Sequence, residues 1–123
     1  MNLTSAIAAK NTVTPVKLDD KGRPTVLIVS GSKGKNYRTS FERHPHNVVR
    51  AACVCEDTGE TCKGNSHGHV CYHVLAAVMY CCDDAEFCKT EAEAKGKPGR
   101  IIRVQSANGD GFAVVVVKSP VPA

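Results

Sequence analysis

The order of apolar runs along this chain predicts an α+β fold. The expected parts are a β-hairpin or short sheet, a Cys/His-bearing segment, a buried helix and a closing C-terminal β-hairpin. Three observations carry that expectation. β-branched, strand-like runs occupy both halves of the chain. The stretch CYHVLAAVMYCC is apolar almost all round, which at that length suits a helix buried on most sides. Between two strand-like runs near the end, ANGDG supplies the positive-φ positions of a tight turn. With 123 residues, a single domain spanning residues 1–123 is expected.

Taken in order, LTSAIAAKN can form a short helix capped by Thr4 or Ser5, marginal without packing. RPTVLIVSG is a strand that stops at Gly31. NYRTSFE alternates Tyr37, Thr39 and Phe41 on one face with Arg38, Ser40 and Glu42 on the other. SGSKGK between them reads as a hairpin turn with a basic tip, and it lacks the spacing of a phosphate-binding P-loop. NVVRAACVC is a third strand running into the Cys/His segment. After the apolar helix, DDAEFCKTEAEA reads as a more polar helix and KGKPGR as a break. RIIRVQS and FAVVVVKS then form the closing hairpin, at about residues 100–118. The FAVVVV run has no charge before Lys118, so it is either a central buried strand or an interface.

No apolar run approaches the roughly 18 residues of a membrane span. The opening MNLTSAIAAKN has no basic leader and too short an apolar run for a secretory signal, so a cytoplasmic setting is expected. In a reducing compartment seven cysteines point to metal ligands or buried thiols rather than disulfides. The net charge of +4 permits an acidic partner without demanding one.

A structural Zn²⁺ takes four Cys or His donors at tetrahedral corners. Cys53 and Cys55, two apart at a strand end, point to one side, and a small bend can bring both onto one ion. Cys71 and His73 would diverge within a helix. They converge if Cys71 ends a loop and His73 lies in the first helical turn. Cys62, His67 and His69 lie in the intervening loop, with Cys62 read first as a free thiol and second as a substitute ligand.

The pattern Cys53-Val54-Cys55, fifteen residues, then Cys71-Tyr72-His73 followed by Val74-Leu75-Ala76-Ala77-Val78 resembles the SWIM zinc finger, found in bacterial and phage proteins among others. The resemblance covers about residues 36–80. It implies Zn²⁺ as cofactor, Cys53, Cys55, Cys71 and His73 as ligands, and association with DNA or with other proteins. It implies no catalysis by the finger itself. If the chain is phage-encoded, its setting is the host cytoplasm.

The remaining candidates have plainer readings. Cys81 and Cys82 are adjacent on a helix and suit core packing, as does Cys88. His44 and His46 flank Pro45 in a turn composition open to solvent or to a ligand. Lys33, Lys35, Arg38, Lys95, Lys97 and Arg100 lie on or beside Gly-rich segments that can approach phosphates, and they are the candidate nucleic-acid contacts. With no Trp, three Tyr and three Phe, base stacking is poorly supplied, so contact with DNA would be backbone-dominated and weakly sequence-specific. The expected function is a zinc-stabilised DNA-binding accessory module, not an enzyme. The alternative is a zinc-stabilised protein-interaction adaptor that uses the C-terminal hairpin. A thiol-catalytic reading through Cys62 with His67 or His69 lacks an orienting third group.

Overall fold

In the computed structural model, which describes residues 3–31, 34–62, 70–82, 85–107 and 111–118, helix α1 (Leu3–Lys10) is followed by four strands. These are β1 (Thr14–Leu18), β2 (Pro24–Ser30), β3 (Asn36–His44) and β4 (Val48–Cys55). Then come α2 (Tyr72–Cys81), β5 (Glu86–Cys88), α3 (Glu91–Lys95), β6 (Arg100–Ser106) and β7 (Phe112–Val117). All seven strands hydrogen-bond into one mixed sheet, in the order β1-β2-β3-β4-β6-β7-β5. The first four run antiparallel as consecutive hairpins, and β6 joins β4 in parallel. A parallel neighbour needs a crossover, and α2, β5 and α3 lie within it.

The crossover places α2 on one sheet face, where α1 packs beside it. Leu27 and Val29 of β2, Ala51 and Cys53 of β4, Val104 of β6 and Val115 of β7 meet Val74, Leu75, Ala76 and Ala77 of α2 and Ala6 and Ala9 of α1 in one buried cluster. This double cover explains why α2 is apolar around most of its circumference: sheet on one side, α1 on another. On the opposite face a smaller cluster joins Val114 and Val116 of β7 to Cys88 of β5 and Ala94 of α3. β7 is therefore buried on both faces and hydrogen-bonded on both edges, by β6 and β5. The uncharged FAVVVV run is the central strand of the two readings offered above.

Two elements differ from expectation. The segment read as a continuing polar helix instead gives β5, whose three residues pair with β7, and the helix restarts only at Glu91. Its start is set by Thr90, whose hydroxyl accepts from the Glu93 amide at 3.1 Å while Glu93 Oε2 accepts from the Lys89 amide at 3.2 Å. That T-x-x-E capping arrangement fixes the helix start at Glu91, eight residues after the start of the segment read as a polar helix. The other difference is β1, an exposed edge strand whose Pro15 is tolerated there. Asp19 closes the β1–β2 connection by accepting from the amides of Lys21 and Arg23, each at 2.9 Å. Lys33, in the β2–β3 turn, and Asn108 to Asp110, in the last turn, lie outside the described residues. No helix among the described residues is long and apolar enough to cross a membrane.

Candidate metal centre

Val54 bridges antiparallel to Thr61, so the chain doubles back after β4. The reversal runs through Asp57-Thr58-Gly59, where Gly59 takes a φ of 72° that a side chain would resist. The Gly59 amide donates to the Cys55 carbonyl at 2.8 Å, and the Cys62 amide to the Cys53 carbonyl at 2.9 Å. Cys62 is thereby a cross-strand neighbour of Cys53, with the two side chains close enough to share a ligand. Cys71 is the N-cap of α2, in extended conformation, and His73 stands in the first turn. That is the loop-to-helix junction the C-x-H pair requires.

The outcome is a cluster of Cys53, Cys62, Cys71 and His73 whose donor atoms all lie within 4.8 Å of one another and which could hold a metal ion. His73 Nδ1 is 3.6 Å from Cys62 Sγ and 3.8 Å from Cys53 Sγ. A tetrahedral ion with Zn–S near 2.3 Å and Zn–N near 2.0–2.1 Å sets N···S edges at about 3.6 Å, so the donors stand at ligation spacing. Cys53, Cys71 and His73 are almost wholly buried. In that setting ionisation of the two buried thiols, Cys53 and Cys71, is disfavoured. Cys53 is pushed up by contact with Cys62, then by Cys71 and by burial. For Cys71 the contact with Cys53 pulls downward, but Cys62 and burial outweigh it and the thiol rises. A bound cation reverses this balance, since it stabilises the thiolates that crowding otherwise opposes.

The imidazole is held from both sides. The Tyr37 ring stacks on it at 3.8 Å between centroids and 22° between planes, and Tyr72 packs at 4.0 Å on a tilt. The sandwich aims Nδ1 at the thiols and leaves Nε2 buried without a hydrogen-bond partner among the described residues. Gly31 provides the room: a Cβ there would stand 2.9 Å from the Tyr37 ring and 3.2 Å from His73 Nε2. Gly31→Ala should therefore shift the stack and turn the imidazole. Since residues that orient a metal-bound His typically affect affinity by about 10–100-fold, a loss in that range is expected in competition titrations of zinc against a chromophoric chelator.

Cys55 stands outside this cluster. The ladder from Tyr37↔Cys55 to Thr39↔Cys53 is unbroken, so the strand does not bend, and residues two apart remain about 6.6 Å apart along it. Cys55 faces the turn instead, where the Thr58 amide and hydroxyl and the Asp57 amide hold its thiol below the usual range. The signal that could have pointed to Cys62 is E-D-T-G-E-T itself, a turn composition whose reversal puts Cys62 opposite Cys53. His67 and His69 lie outside the described residues.

The candidate nucleic-acid contacts do not form one surface. Lys35 is exposed just before β3, whereas Arg100 opens β6 beyond the far end of that strand. Nine residues of β3 span about 30 Å. Arg38 is tied to Glu56 by two contacts of 3.2 Å, and Lys97 to Glu86 at 2.7 Å. Lys95 is exposed in the last turn of α3. Compared with protein-family models, curated proteins and solved structures, the chain matches none significantly.

Proposed function

We propose that this chain is a small, non-catalytic DNA-binding module stabilised by one structural zinc held by Cys53, Cys62, Cys71 and His73. The observation that carries the zinc assignment is the donor set itself: three thiols and one imidazole at tetrahedral spacing, buried at the junction of β4, its return loop and α2. Four protein ligands close the coordination shell. A catalytic zinc keeps one position open for water or substrate, so this set suits a structural ion. The resemblance to the SWIM finger rests on C-x-H at the helix start, and the set departs from that finger in taking Cys62 where C-x-C would supply Cys55.

The DNA reading is supported by the net charge of +4 and by Lys35, exposed just before β3. Three bound thiolates would leave that charge at about +3. Because Arg38 is already bound to Glu56, the tip offers two lysines, Lys33 and Lys35. Each phosphate contact releases counterions worth a slope of about −0.9 in log affinity against log salt, so these two contribute about −1.8. Replacing both by Ala should weaken binding to unrelated duplexes equally and flatten the slope by that amount, with zinc content unchanged. Absence of any duplex binding by the wild-type chain at about 50 mM salt, where electrostatic association is strong, would exclude DNA as the ligand.

A further inference from the structure

At the other end of α2 from the metal cluster is a cavity of about 300 Å³, between the last helical turn and the ends of β3, β4 and β6. Five residues of α2 separate His73 from Val78 and eight separate it from Cys81, a rise of about 8–12 Å, and the two places share no residue, so the cavity is a distinct location. Its floor is apolar: Phe41, Val78 and Ile102, partly buried against the main core, and Val104, fully buried. Its rim carries Arg23, Arg43 and Arg100 together with His44 and His46, and no Asp or Glu among the described residues lines it.

The polar groups around this rim are unequally satisfied. Arg23 is bonded to Asp19 at 2.8 Å, and His44 lies 2.7 Å from Glu42. Arg43 and Arg100 form no ion pair among the described residues, and the one hydrogen bond Arg43 makes there is a 3.5 Å contact to the Pro24 carbonyl. Two guanidinium groups with spare donors therefore stand over an apolar floor. The β3–β4 turn shapes the same mouth, with His46 and Asn47 both left-handed at φ 65° and 60°. Such paired positive φ values mark a tight hairpin turn, and His46 lines the cavity from it.

We propose that this cavity binds a small amphipathic carboxylate, with its apolar body on Phe41, Val78 and Ile102 and its head at Arg43 and Arg100. The ligand class follows from two matched features. Mostly apolar concavities with a few convergent polar groups bind small molecules, and this volume lies at the low end of their usual range of roughly 300–1,000 Å³. A planar guanidinium presents paired donors that match a carboxylate, and among the described residues no acidic side chain of the lining competes for them. A polyanion such as DNA needs an extended cationic surface and gains nothing from the apolar floor, so this site is independent of the DNA reading.

The test is titration of the zinc-loaded full chain with decanoate, followed by calorimetry and by amide shifts, with decanol as the uncharged control. One saturable site per chain is expected, with decanol at least about tenfold weaker, since a hydrogen bond to a charged group contributes on the order of a tenfold change or more. Arg43→Gln, on an exposed side chain, should weaken decanoate by a similar factor and leave decanol unchanged. Ile102→Phe, which fills the floor, should weaken both. Zinc content and the circular dichroism spectrum verify that each variant is folded. No saturable binding up to about 1 mM, decanol binding as tightly as decanoate, or an Arg43→Gln titration identical to wild type would each overturn the proposal.

Discussion

Removing zinc with a strong chelator should cost the chain most of its tertiary structure. The cluster joins three segments from different parts of the fold: the end of β4, its return loop at Cys62 and the start of α2. Without an ion, three thiols, of which Cys53 and Cys71 resist ionisation, remain crowded against the imidazole in the interior. Structural zinc in small fingers supplies apparent binding energy on the order of 10 kcal/mol to folding, which is as large as the whole stability of an ordinary domain. The expected observation is a collapse of near-ultraviolet circular dichroism and of amide dispersion on chelation, reversed by added zinc. A native-like spectrum after complete metal removal would refute the structural role.

Val115→Asp should prevent folding outright. Val115 is fully buried within the main core, on a strand paired along both edges. An unpaired carboxylate there carries an effective penalty of several kcal/mol even after relaxation, comparable with the margin by which a domain of this size is stable. The conservative Val115→Ala should cost about 1–3 kcal/mol and remain folded, giving a measurable shift in a urea melt. This pair also bears on the adaptor alternative. If the FAVVVV run were a surface awaiting a partner, the aspartate would be tolerated in the isolated chain and would disturb only the complex.

Much of this architecture was legible because local patterning and tertiary demand agree. β2, β3 and β4 follow their β-branched and alternating runs, and α2 begins where C-x-H must change from loop to helix. The parts that escaped depend on pairings that periodicity does not encode. Glu86–Cys88 becomes a strand because β7 offers it an edge, overriding the helical composition of its surroundings. β1 is exposed at all five positions, so no buried face left an alternating signal to read. Cys62 is brought to Cys53 by a turn, and ligand spacing counted along the chain cannot register a cross-strand neighbour. The basic residues were grouped by sequence, but the parallel joining of β6 to β4 sends Arg100 to the opposite end of the sheet from Lys35. The same joining gathers Arg43 and Arg100 at one cavity, which no stretch of sequence displays.

Two single substitutions, weighed by native mass spectrometry for zinc per chain, test the centre most directly. In the wild-type chain one zinc is expected. Cys62→Ser removes a donor that lies within 4.8 Å of the other three, so its zinc should be lost or held far more weakly. Cys55→Ser alters a thiol that faces the turn at Asp57 and Thr58, so it should keep one zinc with little change in affinity. The reverse pattern, zinc retained by Cys62→Ser and lost from Cys55→Ser, would contradict the account and restore C-x-C as the first ligand pair.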